Sequence, residues 1–133
     1  MRLARLAALA LIALPAAPGT EPVAAEDIVV RGDVARKEIE RILSADNLDT
    51  SRLGAGDVAE AIDGIRRGRA PEDFWTAYRA HVEAWKRLAA ARSDLETALA
   101  EQAIEATFDE VERIARAYGA ILPVPPWQEI PTV

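Results

Sequence analysis

No glycine or proline stands between Pro71 and Gly119, and those two residue types are the strongest breakers of regular structure. The stretch therefore reads as helix almost throughout. One unbroken helix over residues 71–118 would be about 70 Å long at 1.5 Å per residue, more than a chain of this size can cover. Ser93-Asp94-Leu95-Glu96 offers the way out, because S-x-x-E is a capping box and marks a new helix start. The reading adopted is an antiparallel hairpin turning near Arg92, with one bent helix as the alternative.

Each arm of that hairpin has a start, a stop and an apolar face. Pro71 opens the first arm, and Glu72 and Asp73 sit in its first turn, where the helix dipole favours negative charge. Phe74, Tyr78, His81, Trp85 and Leu88 then recur at helical spacing and form one seam. Trp75, Val82 and Ala89 lie one residue round from it. On the second arm the same spacing turns Leu95, Leu99, Ala103, Ala106, Val111, Ile114, Ala115 and Tyr118 inward. Gly119 ends this arm, and Arg113 and Arg116 suit its negative pole.

Two shorter helices are expected upstream. Residues 28–30 are too few to assign and could form an extended lead-in, with Gly32 and Asp33 then as break and N-cap. A helix over residues 34–45 follows, with Ala35, Ile39, Ile42 and Leu43 on one stripe, Arg36 and Glu40 as an exposed pair, and Asn47 as the stop. The second helix takes Asp57 as N-cap and Glu60 as its capping-box partner. It buries Val58, Ala61, Ile62 and Ile65 and ends at Gly68. From Pro123 onward the Pro-rich tail is extended, with Trp127 and Ile130 available to fold back. The fold class expected is all-α, a small bundle of about four helices over residues 26–122, built on the hairpin and followed by an extended tail over 123–133.

Residues 1–25 read differently. Arg2 and Arg5 make a basic start, residues 6–14 are an apolar run, and Val23-Ala24-Ala25 is a small-x-small site. That order is the pattern of a secretory signal peptide. The apolar run stops at Pro15, well short of the roughly 20 residues of a spanning helix, so no membrane span is expected after cleavage. Arg2 and Arg5 are not adjacent, which favours the general secretory route over twin-arginine export. The Ala- and Arg-rich usage suggests a bacterial source, and hence a periplasmic or secreted protein.

Composition narrows the function further. The chain carries 16 basic and 22 acidic side chains, a net charge of -6. That balance argues against nucleic acid, whose binding needs Lys and Arg against phosphate, and against a polybasic grip on anionic lipid. Cysteine is absent, which removes disulfides, a thiol nucleophile, c-type haem attachment and lipoprotein modification. His81 is the only histidine and Met1 the only methionine. Two-histidine zinc sites, the Glu-x-x-His pairs of di-iron bundles and His/Met haem ligation therefore fail. No metal and no cofactor is expected.

The remaining candidates are clusters of side chains. A hairpin turning near residue 93 sets His81 beside residues 104–108, with Glu105 and Thr107 as its expected partners between the rings of Tyr78 and Trp85. Glu101, Glu105, Asp109 and Glu112 form a carboxylate row on the second arm. Asp109 with Arg113 and Glu112 with Arg116 would be i, i+4 ion pairs, which makes a solvated face the better account than a cation site. Arg66, Arg67 and Arg69 form a small basic patch that compensates a helix end. Trp75 and Trp127 are less constrained by periodicity and could present an apolar patch to a partner, but a four-helix domain short of Phe must draw buried area from its aromatic residues, so core packing is the leading expectation.

The segments 74–85 (FWTAYRAHVEAW) and 107–119 (TFDEVERIARAYG) carry a resemblance. They are similar to a group of exported bacterial helical proteins with no assigned activity, which share an F-x-x-[AY]-x-x-H-x-x-A-W helix followed by a T-[FYW]-x-x-V-x-x-I-A-x-x-Y-G helix. The resemblance covers about the last third of the chain. It implies no reaction; it implies that His81, Trp85, Thr107 and Tyr118 act together across one helix pair. The function expected is that of a non-enzymatic binding or accessory protein, with an envelope protein or peptide as partner and Tyr78, His81, Trp85, Glu105 and Thr107 as the candidate cluster. No catalytic residue is assigned. The alternative is a small envelope hydrolase with His81 as general base and Glu105 or Asp109 orienting it.

Overall fold

A computed structural model describes residues 25–128, with side chains from Arg31 onward. The expected leader, apart from Ala25, and Ile130 lie outside the described residues. Four α-helices follow one another, α1 (Ala25–Asp46), α2 (Ala55–Asp63), α3 (Glu72–Ala90) and α4 (Asp94–Ala117), and a 3-10 turn at Pro126–Gln128 closes the described chain. No strand occurs among the described residues. The fold is an all-α bundle, and its closest pairing is that of α3 with α4.

The hairpin turns where the capping box stands. Ser93 Oγ accepts the Glu96 backbone N–H at 3.1 Å, and Glu96 Oε2 accepts the Arg92 N–H at 2.7 Å. Two of the orphan donors at the start of α4 and its entry are thereby satisfied. At the other end Gly119 takes φ +76°. Its N–H reaches the Arg116 carbonyl at 2.9 Å, and Ala120 N–H reaches that of Ala115 at 3.0 Å. These two hydrogen bonds are the Schellman closure, which favours a residue free of a Cβ at the left-handed position.

Upstream, three expectations are corrected. First, α1 runs straight through Gly32 and Asp33, so residues 28–30 are helical and not an extended lead-in. One interior glycine costs a helix only about 1 kcal/mol, and Asp33 is spent on Arg36 and Lys37, one turn ahead, and not on a cap. Second, α2 starts a turn earlier than Asp57. Its N-cap is Gly54, and Asp57 serves from inside the helix by accepting the Gly54 N–H at 3.3 Å. This register buries Ala59 with Val58 and Ile62 and leaves Ala61 exposed. Third, α2 ends at Gly64 and not Gly68. Gly68 forms a left-handed turn at φ +56°, where an added Cβ would sit 2.5 Å from a Glu38 carboxylate oxygen. Arg41 Nη2 donates to the Arg66 carbonyl at 2.8 Å and ties this turn to α1.

The core is one cluster. Ile39, Ile42 and Leu43 of α1, Val58 and Ile62 of α2, Phe74, Tyr78 and Val82 of α3, and Val111, Ile114 and Ala115 of α4 are buried together. The stripe expected on α4 is corrected in its first half. Leu95 is 69% exposed and Leu99 55% exposed, and Ala106 is exposed as well, while Ala100 is buried. The first turns of α4 have the end of α3 as their neighbour and neither α1 nor α2 packs on them closely. Past Ala120 the chain runs back along the bundle. Ile121 N–H donates to Glu40 Oε1 at 3.2 Å, Asn47 Nδ2 donates to the Val124 carbonyl at 3.0 Å, and Leu122 packs on the core.

Candidate functional site

The facing positions of α3 and α4 bring His81 and Thr107 together. His81 is 3% exposed. Its Nδ1 lies 3.0 Å from Thr107 Oγ1, and Trp85 Nε1 lies 3.2 Å from its Nε2. An indole nitrogen can only donate, so Nε2 accepts and Nδ1 carries the proton. That proton goes to Thr107 Oγ1, whose own hydrogen goes to the Ala103 carbonyl at 2.7 Å. The result is a one-way chain of hydrogen bonds, Trp85 to His81 to Thr107 to the backbone of α4. Burial pushes His81 down to about 4, partly offset by the Ile104 carbonyl, so the ring is neutral at pH 7.

Aromatic rings surround the imidazole. Phe108 lies tilted at 5.1 Å between centroids, Tyr78 at 6.3 Å and Trp85 edge-on at 6.5 Å. Trp75 stacks on Tyr78 at 5.7 Å and holds the Arg79 guanidinium 5.9 Å from its own ring centre. Of the two tryptophans less constrained by periodicity, Trp75 is packed against the core, as the leading expectation had it. Trp127 is 67% exposed.

Of the candidate residues, Tyr78, His81, Trp85 and Thr107 form this cluster. Glu105 does not join it, since both ring nitrogens of His81 are engaged by Thr107 and Trp85 and Glu105 stands exposed on α4. Tyr118 is also elsewhere: its hydroxyl donates to Asp73 Oδ1 at 2.9 Å, fastening the end of α4 to the start of α3. In the carboxylate row, Arg116 pairs with Glu112 at 3.0 Å as expected. Arg113 pairs with Glu110 and not with Asp109, because a bidentate fork fits the i, i+3 carboxylate. Among the described residues no group of acids and histidine is arranged to hold a metal ion.

Asp46, which sequence reasoning passed over, adjoins this candidate cluster. It is the last residue of α1, and Tyr78, fully buried, donates its hydroxyl to Asp46 Oδ1 at 2.9 Å. Burial pushes the Asp46 carboxyl up to about 6, and the Tyr78 hydrogen bond opposes that shift. Burial, and then the negative charge of Asp46, raise the Tyr78 phenol in turn. A signal was present: an acid at the C-terminal, negative pole of a helix with no basic residue in its last turn is out of place as a surface residue.

Asp46, His81, Trp85 and Phe108 line one cleft of about 400 Å³. Leu43, Val58, His81, Ile104 and Phe108 line its floor and walls, and Leu122, Pro123, Pro125 and Trp127 of the tail form its far side. Its edge carries the carboxylates of Asp46, Glu105, Asp109 and Glu112 together with Asn47 and Thr50, with no lysine or arginine in the lining. A mostly apolar concavity of this volume with a few polar groups at its edge has the size and make-up of a binding site. Chemically it can shelter apolar groups and attract positive charge. The His81 imidazole is not free to take up a proton there, because both of its nitrogens are hydrogen-bonded.

Comparison with protein families, with curated proteins and with solved structures gives no match for this chain.

Proposed function

We propose that the protein is an exported, non-enzymatic binding or accessory protein and that the cleft between α4 and the tail is its binding surface. One observation carries this reading: His81, the only histidine, is engaged at both ring nitrogens on the floor of a cleft that is otherwise mostly apolar. The competing hydrolase would need Nε2 of His81 free to take a proton and an acid behind Nδ1. Trp85 occupies the first position and Thr107 the second. Export is supported by the order of basic start, apolar run and small-residue site over residues 1–25.

N-phenyl-1-naphthylamine, a neutral dye whose fluorescence rises in apolar surroundings, tests the cleft. Saturable binding at one site per chain is expected, weakened about threefold or more by Trp127→Ala, whose side chain is too exposed to carry the fold. No saturable binding, or ester hydrolysis that His81→Gln abolishes in a folded variant, would overturn the reading. Export is tested by the intact mass of protein recovered from the extracytoplasmic fraction, where a chain beginning at Glu26 is expected. Recovery of the uncleaved chain in the inner membrane would overturn that part.

A further inference from the structure

The cleft has a charged edge whose spacing says more about its occupant, and this inference rests on the binding role proposed above. Glu105, Asp109 and Glu112 stand along one side of α4 and all three line the cleft. Glu112 is neutralised by Arg116, whereas Glu105 and Asp109 make no ion pair among the described residues. Two exposed carboxylates without a cation, at the lip of an apolar cleft that contains no lysine or arginine, form an electrostatic complement to a positively charged partner.

Spacing selects the kind of partner. Residues four apart on a helix rise about 6 Å, and alternate residues of an extended peptide, which share a face, lie about 6.6 Å apart. The opposite wall of the cleft is the irregular tail over residues 121–125, whose Val124 carbonyl is already engaged by Asn47, so side chains and not a backbone ladder must supply recognition. We infer that the cleft receives an extended peptide segment with basic residues at alternate positions and a large apolar side chain nearby, the basic pair meeting Glu105 and Asp109 and the apolar group entering beside Ile104, Phe108 and Trp127.

Calorimetric titration with three synthetic peptides decides this. The probes are acetyl-Lys-Phe-Lys-Leu-amide, its Gln-Phe-Gln-Leu analogue and its Glu-Phe-Glu-Leu analogue. The lysine peptide should bind about tenfold tighter than the glutamine peptide, the glutamate peptide should not bind measurably, and the preference should shrink as salt is raised. In Glu105→Gln/Asp109→Asn the lysine peptide should fall to the affinity of the glutamine peptide, while Glu60→Gln, a change on the exposed face of α2, should leave both unchanged. Melting temperatures confirm that the variants fold. Equal binding of the lysine and glutamine peptides overturns the inference and leaves the cleft reading standing. Binding of the naphthylamine dye without any peptide overturns it too. Dimerisation lost in Trp127→Ala would assign the cleft to a second copy and overturn it as well. Failure of the dye and of every peptide removes both readings.

Discussion

The two halves of the α3–α4 hairpin obey the same periodicity and meet opposite fates. In the half near the chain ends of the pair, Phe74, Tyr78 and His81 of α3 and Val111, Ile114 and Ala115 of α4 are buried. At the turn, Leu95 and Leu99 continue the stripe and stand in solvent. The difference lies in what covers them. α2 packs on α3, and the core residues of α1 reach the lower half of the pair, whereas the tip has only its own two arms. A repeat of three and four residues reports which face of a helix is apolar, and it is silent on whether a third element lies over that face.

The sharpest test of the contrast is a large-to-small change in the covered half. Phe74 is fully buried, its ring centre 6.2 Å from that of Tyr78. Phe74→Ala should destabilise the fold by about 3–5 kcal/mol, because the lost transfer free energy is joined by a cavity that the bundle closes only in part. Denaturant titration monitored by far-ultraviolet dichroism measures it. A cost near zero would show that the lower half is no better packed than the tip.

His81 comes next, with an expected loss of about 1–3 kcal/mol for His81→Ala. Thr107 keeps a partner in the Ala103 carbonyl, and the half-buried Trp85 can turn its N–H to water, so the cost is mainly packing. The native ring also ties stability to pH. Its folded value is pushed down to about 4, below the 6.5 of an exposed imidazole. Between these values the unfolded chain binds more protons than the folded one, so His81 favours folding above pH 6.5 and that contribution is lost as pH falls toward 4. Melting curves across this window should therefore fall less steeply toward acid in His81→Ala than in the wild type. Parallel curves would remove the buried, neutral ring.

Asp46 slopes the other way. Its carboxyl is raised to about 6 from 3.8, so the folded chain binds the extra proton, and the residue weakens the fold as pH rises from 4 to 6. Asp46→Asn keeps an oxygen for the Tyr78 hydroxyl and removes the charge. It should stabilise the protein by about 1–2 kcal/mol above pH 6, since the half-buried carboxylate keeps part of its water, and by nothing below pH 3.8. In the wild type the two slopes oppose each other between pH 4 and 6. The variant should lose stability more steeply than the wild type as pH falls from 6 to 4, and an unchanged pH profile would refute the raised Asp46 carboxyl.

Which of these features the sequence disclosed follows from the range of the interactions behind them. Pro71, the Ser93–Glu96 box and Gly119 act through bonds within one turn, so the hairpin, its turn and its stop were legible, as was the pairing of His81 with Thr107 across it. Gly32 misled because a helix tolerates one glycine when its flanks are strong. Asp57 misled because an acid serves a helix start equally from the cap or from three residues inside. Glu105 has the right register to meet His81, and it was Trp85, four residues along on the same helix, that took the remaining nitrogen. Asp46 left one local hint, an acid at the negative pole of α1, but its contact with Tyr78, like the exposure of Leu95 and Leu99, depends on how the helices lie in space, which no local pattern records.

The smallest expected effect is therefore the most telling about the tip. Leu99 is 55% exposed, and in an uncovered helix position alanine is at least as good a helix former as leucine. Leu99→Ala should change stability by no more than about 0.5 kcal/mol, as surface substitutions do, against the 2–5 kcal/mol typical of a fully buried leucine such as Leu43, which is 2% exposed. The pair of variants, measured side by side in one denaturant series, isolates coverage from chemistry, since the atoms removed are the same. A loss above about 2 kcal/mol at Leu99 would mean that something covers the tip in solution. If that loss grew with protein concentration, the cover would be a second copy of the chain, and the contrast between the two halves would belong to the monomer alone.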